Sequence, residues 1–201
     1  MNEISDMAGC DGPEVRVGRR TFLKGGVCLG LGLSVAPCSV EAAQTDAASL
    51  RPKEGDLFVK VGDSNLTPLR PDDILADAAQ TAAWAMDPAD HTVRSGSRLN
   101  RVLLVRIAID AASPETRARA ADGVVAFTAI CPHTGCDVTE WLADEKVLYC
   151  PCHFSKFDPR DGARVVDGPA PRPLPALPLG VGDGKLVVAK PFTTRVGFET
   201  A

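Results

Sequence analysis

The pattern of apolar and polar positions after about residue 56 predicts many short strands. Residues 57–61 alternate apolar and polar side chains, which is typical of a strand with one buried face. Residues 101–109 and 124–130 are rich in Val, Leu and Ile, and they predict buried strands. The second of these strands ends directly before a run of Cys, Pro and His.

Two hairpins are predicted where a pair of apolar stretches brackets a short polar turn. Residues 137–142 and 146–149 form the first pair, and residues 177–181 and 185–189 form the second. A mostly antiparallel, all-β domain over residues 56–192 accounts for this pattern.

Two further segments have a weaker periodicity. Residues 74–86 are ambiguous, because the alanines permit a helix up to about Thr81, whereas residues 82–86 favour a strand. Ser113 followed by Pro114 predicts the start of a short helix that ends near Ala121.

Composition narrows the class of protein. The 201 residues allow one domain with additional segments, and 24% charged with 45% hydrophobic residues is a globular composition. The net charge is −4, and acidic and basic residues are interspersed. Since no basic stripe is present, nucleic acid is excluded as a partner.

The N-terminal segment predicts export. Gly18-Arg19-Arg20-Thr21-Phe22-Leu23-Lys24 precedes a Gly-rich apolar run over residues 25–37, and this resembles a twin-arginine signal. We therefore predict a leader over residues 1–42, a linker over 43–55 and a periplasmic location. The apolar run is shorter than the roughly 20 residues of a membrane span, which favours cleavage before Ala43. An uncleaved membrane anchor is the alternative.

Two short loops carry the chemistry of the chain. They are Cys131-Pro132-His133-Thr134-Gly135-Cys136 and Cys150-Pro151-Cys152-His153-Phe154-Ser155. Each loop offers a thiolate and an imidazole, which matches a [2Fe–2S] cluster in which two histidines replace two cysteines. A closed zinc site, or two disulfides among the four cysteines, are the alternatives.

These loops, followed by Lys156-Phe157-Asp158 and by Gly168-Pro169-Ala170-Pro171, closely resemble the Rieske iron–sulfur protein family over residues 124–192. The resemblance implies a Rieske-type antiparallel β sandwich with a small cluster-binding subdomain, about residues 129–173, and a C-terminal tail over 193–201. It implies that the iron ligands are Cys131, His133, Cys150 and His153, and that Cys136 and Cys152 form a disulfide. It also implies that Ser155 donates a hydrogen bond to a bridging sulfide, and that a proline loop with Gly168 and Pro169 shields the cluster.

Three positions depart from the members found in cytochrome bc complexes. Those members usually carry leucine at the position of Thr134, glycine at Phe154 and tyrosine at Phe157. The pattern Cys-His-Phe-Ser-Lys-Phe-Asp, which contains Phe154 and Phe157, looks more like the small Rieske subunit of arsenite oxidase. The proline loop and the cysteine pair, in contrast, match the bc type.

The resemblance implies a one-electron carrier with no substrate site of its own. We expect a subunit of an exported oxidoreductase similar to quinol–cytochrome c reductase, with a cytochrome b-type partner and a cytochrome acceptor. The alternative is the small subunit of a molybdenum oxidoreductase with a molybdopterin subunit. A terminal oxygenase is excluded, since its mononuclear iron needs two further histidines and only His91 remains.

Overall fold

The computed structural model describes residues 46–198, and these residues form two antiparallel sheets. The larger sheet has six strands in the order β4-β3-β2-β1-β10-β9, and the smaller has four in the order β5-β6-β7-β8. The strands are β1 (Leu57–Lys60), β2 (Thr81–Met86), β3 (Val102–Arg106), β4 (Val124–Thr128), β5 (Glu140–Leu142), β6 (Val147–Tyr149), β7 (Lys156–Asp158), β8 (Arg164–Asp167), β9 (Leu179–Gly182) and β10 (Lys185–Val188). The predicted mostly-β, antiparallel class is confirmed.

Helical structure in the described residues is limited to single turns. The α-helix α1 (Pro114–Arg117) begins at its N-cap Ser113, whose hydroxyl accepts from the N–H of Thr116. One-turn 3₁₀ helices lie at Ala47–Ser49, Pro71–Asp73, Arg98–Asn100, Ile109–Ala111 and Pro159–Asp161. The predicted helix end at Ala121 is wrong, because Ala121 instead pairs with Val124 across a tight turn.

The ambiguity over residues 74–86 is resolved in favour of a strand. Thr81–Met86 pairs with β1 on one side and with β3 on the other, and no helix precedes it between residues 74 and 80. Ala83, Ala85 and Met86 are buried in this strand. Burial between two neighbouring strands therefore overrides the helix propensity of alanine.

Two hydrophobic cores lie on opposite faces of the larger sheet. Leu104 of β3 packs with Phe58 and Leu186 in one core, whereas its neighbour Leu103 packs in the other with Phe127 of β4. Successive side chains of a strand point to opposite faces, which explains why β3 is apolar from Val102 to Val105. The second core also contains Cys131 and Cys150, so the metal centre is built at its edge.

A buried ion pair holds the described part of the predicted linker on the domain. The guanidinium of Arg94 is 1% exposed and donates to Asp56 at 2.5 and 3.0 Å, to Asp87 at 3.1 Å and to the carbonyl of Ala47 at 3.2 Å. These charged hydrogen bonds raise the pKa of Arg94. The carbonyl of Ala47 is thereby bound to Arg94, so this residue of the predicted linker contacts the domain.

The predicted leader, residues 1–42, lies outside the described residues. Within residues 46–198, no helix has the length and apolar character that crossing a membrane requires.

Candidate metal centre

The first ligand loop, residues 131–136, follows β4 directly. A bridge between Ile130 and Asp137 closes the loop at its base. The N–H of Cys131 donates to the carbonyl of Cys136 at 2.8 Å, and the N–H of Gly135 donates to the carbonyl of Cys131 at 3.0 Å. The loop is therefore a tight turn whose shape is fixed by its own backbone.

The second ligand loop, residues 150–155, connects β6 to β7. The N–H of Cys150 donates to the carbonyl of Ser155, and the N–H of Phe154 donates to the carbonyl of Cys150, both at 2.9 Å. The predicted hairpin of β5 and β6 joins the two loops, with Trp141 opposite Leu148. This hairpin brings the two loops to the same end of the smaller sheet.

The four predicted ligands sort into two pairs. The rings of His133 and His153 lie edge to face with centroids 4.6 Å apart. Cys131 and Cys150 are both 1% exposed, and neither is in a disulfide. His153, in contrast, is exposed and His133 is half-buried. The thiol pair therefore faces the core, and the imidazole pair faces the surface.

Burial raises the pKa of the Cys131 thiol to about 11, and the neighbouring Cys150 adds to the rise. The backbone N–H of His133 and the hydroxyl of Ser155 oppose it, since both stabilise a thiolate. Without a metal, Cys131 thus keeps its proton at neutral pH. Iron binding has to displace that proton, so cluster formation and deprotonation are coupled at this residue.

The donor set fits a cluster of two irons. Nδ1 of His133 is buried and has no hydrogen-bond partner, so its ring nitrogen is available to a metal. Between residues 46 and 198, no three His, Cys, Asp or Glu side chains converge as ligands of a single ion. Zinc requires four ligands around one point, whereas each iron of a Rieske cluster takes only two from the protein.

The predicted disulfide between Cys136 and Cys152 is confirmed, and it links the two ligand loops. Its Cα atoms are 6.5 Å apart, and the bond closes a segment of 16 residues. In the chain-entropy model such a closure is worth about 3 kcal/mol. The alternative of two disulfides is wrong, because Cys131 and Cys150 are unbonded.

The proline loop, residues 168–171, lies directly against the second ligand loop. Gly168 has φ of +88°, and a Cβ at this position would lie 2.5 Å from Cα of Ser155. The N–H of Ala170 donates to the hydroxyl oxygen of Ser155 at 3.1 Å. The hydroxyl oxygen accepts this bond, so its own proton remains available for donation, and the bond to a bridging sulfide stays a prediction. Pro169 lies beside this contact on the surface.

Two of the three departures from the bc type lie on the surface of the loops. Thr134 is exposed in the first loop. Phe154 is 63% exposed in the second, has φ of +65° and stacks on Tyr149 with ring centroids 6.3 Å apart. The third departure, Phe157, is completely buried in β7 and belongs to the same core as the two thiols.

Arg98 is a residue of the site that the sequence did not indicate. Its guanidinium donates to the carbonyl of Gly135 at 2.7 Å and to Asp137 at 3.0 Å, and so holds the first loop from outside. The contact spans 37 positions of sequence, and no local pattern marks it.

Comparisons with known proteins identify the centre. The family model of the Rieske [2Fe-2S] domain matches residues 90–178. The chain is 31% identical over 147 residues to the cytochrome bc1 complex Rieske iron-sulfur subunit of Streptomyces lividans, covering 72% of this chain and 85% of that protein. The cofactor is therefore a Rieske [2Fe–2S] cluster.

Two further similarities complete the comparison. The chain is 42% identical over 106 residues to the "Putative respiratory nitrate reductase subunit Rieske" of Haloferax mediterranei, which is 52% of this chain and about half, 47%, of that protein. The ferredoxin of carbazole 1,9a-dioxygenase from Nocardioides aromaticivorans superposes with a TM-score of 0.40 at 22% identity, covering 60% of this chain and 92% of that one.

The close approach at Gly168 predicts a specific cost of adding a Cβ. Gly55 has the same φ of +88° but no atom within 4 Å of the added Cβ, so Gly55→Ala measures the backbone strain alone. We expect Gly168→Ala to lower the unfolding free energy of the holoprotein by about 1 to 3 kcal/mol more than Gly55→Ala, since the proline loop has to move. Urea unfolding of both variants measures the difference, and equal costs would contradict the contact.

Phe157 lacks the hydroxyl of the tyrosine that the bc type usually carries at this position. We therefore predict a reduction potential below that of the tyrosine-bearing members. A tyrosine there would donate to a ligand sulfur and stabilise the added electron. A hydrogen bond that strengthens by about 1 kcal/mol on reduction raises a one-electron potential by about 40 mV. Phe157→Tyr should show this rise in protein-film voltammetry. Phe154→Tyr, which adds its hydroxyl in solvent, serves as the control, and an unchanged potential in Phe157→Tyr would refute the argument.

Proposed function

Since the chain belongs to the Rieske [2Fe–2S] iron–sulfur protein family, we propose that it is the electron-transfer subunit of an exported oxidoreductase similar to quinol–cytochrome c reductase. It takes one electron at a time from a quinol held by a cytochrome b-type partner and passes it to a cytochrome. One observation carries the proposal: a buried thiol pair and an adjacent imidazole pair, 4.6 Å between ring centroids, lie in two loops joined by a disulfide.

In this proposal, Cys131 and Cys150 hold one iron, and His133 and His153 hold the other. The bound cluster supplies one-electron chemistry at a potential above that of all-cysteine clusters. Burial of both thiols would keep water from the iron that they hold, and the exposed ring of His153 would present the other end of the site to a partner. Ser155 would stabilise the reduced form through its hydroxyl proton.

Three features support the bc-like setting. The disulfide and the Gly168-Pro169-Ala170-Pro171 loop both match the bc type, and the disulfide suits an oxidising compartment. The similarity to the Streptomyces lividans bc1 subunit covers 85% of that protein.

A second candidate is the Rieske subunit of a different respiratory oxidoreductase, of the molybdenum type that includes arsenite oxidase. Phe154 and Phe157 favour it, because their pattern in the second loop resembles that subunit, and the exposed Thr134 stands where the bc type usually has leucine. The 42% identity to the Haloferax mediterranei protein, over 106 residues, supports the same alternative.

We further propose that the protein works in the periplasm and is exported by the twin-arginine route. This rests on the Arg19-Arg20 pair with the following Phe22-Leu23-Lys24, and on the disulfide. That route carries proteins already folded around a cofactor, which suits a buried cluster. The leader either is cleaved near Ala43 or stays as an anchor.

Isolation of the native complex tests the partner. A chromosomal affinity tag at the C-terminus should recover a cytochrome b-type and a cytochrome c-type subunit, identified by mass spectrometry, together with quinol-dependent reduction of cytochrome c. A deletion strain should lose that activity to background. Wild type should restore it, and Cys150→Ser, which removes a proposed ligand, should not. Recovery of a molybdopterin subunit in place of the cytochromes would reject the bc-like setting in favour of the second candidate.

Replacement of the arginine pair tests export. The Arg19→Lys/Arg20→Lys variant should accumulate in the cytoplasm, because the export receptor distinguishes the planar guanidinium from an ammonium. Cell fractionation and immunoblotting measure the distribution. Arg16→Lys makes the same change just upstream and should leave export intact. Normal periplasmic levels of the double variant would exclude the twin-arginine route.

A further inference from the structure

The described part of the C-terminal segment, residues 193–198, is packed against the domain, and we call it the strap. The N–H of Thr193 donates to the carbonyl of Ala176 at 2.9 Å, and its hydroxyl accepts from the N–H of Ala176 at 3.0 Å. Val196 and Gly197 are buried. The paired bonds of Thr193 and the buried side chain of Val196 hold this part of the predicted C-terminal tail on the domain.

The strap is bound to the chain that leaves the proline loop. Arg172 directly follows Pro171, and its guanidinium donates to the carbonyl of Gly197 at 2.5 Å. Gly197 has φ of +95°, so the strap turns at the residue that accepts this bond. Arg172 forms no salt bridge within residues 46–198, so the carbonyl is its defined partner there.

The next residue of the strap covers the first ligand loop. A Cβ at Gly135 would lie 2.8 Å from Cδ1 of Phe198, so the ring of Phe198 rests on the backbone of Gly135. Gly135 lies between the proposed ligand His133 and the disulfide residue Cys136. Phe198 is 45% exposed, so it is partly covered at this position.

These contacts close a ring of four elements around the metal centre. The disulfide joins the first ligand loop to the second, and Ser155 with Gly168 joins the second to the proline loop. Arg172 joins the proline loop to the strap, and Phe198 joins the strap back to the first loop.

We propose that Arg172 and Phe198 are positioning residues that hold the first ligand loop, and with it His133, in place at the cluster. The strap adds a fourth cover to the two ligand loops and the proline loop. The strap and the disulfide both hold the first ligand loop. The disulfide links this loop to the second ligand loop, and Phe198 links it to the strap. Opening one link leaves the first loop tethered through the other, whereas opening both leaves it held only by Arg98 and its own backbone turn.

Single variants of the full-length holoprotein test the positioning role. Phe198→Ala and Arg172→Gln should each speed the loss of the cluster to an iron chelator by about fivefold, as expected for a contact of ordinary strength. The bleaching of the cluster's visible absorption measures this rate. Phe198→Leu, which keeps an apolar contact, should restore most of the slow rate. Arg195→Gln, an exposed change in the same strap, should leave it unchanged.

Hydrogen exchange separates local positioning from general stability. The amides of Thr134 and Gly135 should exchange faster in Phe198→Ala, whereas those of β1 to β3 should keep their wild-type protection. The reduction potential should also shift, since the imidazole ligand moves. Unchanged chelation rate, exchange and potential in both variants would overturn the proposal. So would a uniform loss of protection across the sheets, which would show only a general structural role.

The dependence on the disulfide provides an independent test. In a Cys136→Ser/Cys152→Ser background, Phe198→Ala should speed cluster loss by clearly more than in wild type, giving a non-additive double-mutant cycle. Strictly additive effects would show that the strap and the disulfide act on separate parts of the site. They would reject the closed circuit of contacts that links the two ligand loops, the proline loop and the strap. None of these readouts depends on the identity of the redox partner, so they remain decisive if the bc-like assignment fails.

Discussion

The rest of the structure depends on one constraint: two buried thiols from distant loops must meet at the edge of a hydrophobic core. Cys131 follows strand β4 and Cys150 follows strand β6, and both side chains belong to the core beneath the larger sheet. Burial raises the pKa of Cys131, which therefore stays protonated until a metal takes the place of the proton. The fold places the two thiols together, and a bound cluster would balance the charge of the two thiolates.

Because the two thiols must meet, several elements of the fold contact the two ligand loops and hold them in place. Tight backbone turns shape each loop, but they do not fix one loop relative to the other. The disulfide does so covalently, and the proline loop does so by packing the backbone of Gly168 onto Ser155. Arg98 and Phe198 hold Gly135 from two further directions. The imidazole pair thus stays at the surface while the thiol pair stays dry.

Features that depend on a few adjacent residues could be predicted from the sequence. The ligand loops, the hairpin between them and the N-cap Ser113 each occupy a few adjacent residues, and all were predicted. Contacts between distant side chains were missed. Arg94 and Asp56 are 38 positions apart, and Arg172 and Gly197 are 25 apart, and neither pair leaves a periodic pattern. The packing of residues 46–55 and of the strap could therefore not be inferred before the fold was known.

The surface of the ligand loops differs in charge from its surroundings. Residues 131–136, 150–155 and 168–171 contain no Asp, Glu, Lys or Arg, whereas the charged Arg98 and Asp137 lie next to the first loop. Phe154 has a positive φ and stacks on Tyr149, yet it remains 63% exposed. Thr134 is exposed as well. The exposed large apolar side chain therefore stands on the second ligand loop of this chain, whereas members of the bc type usually carry theirs, a leucine, on the first.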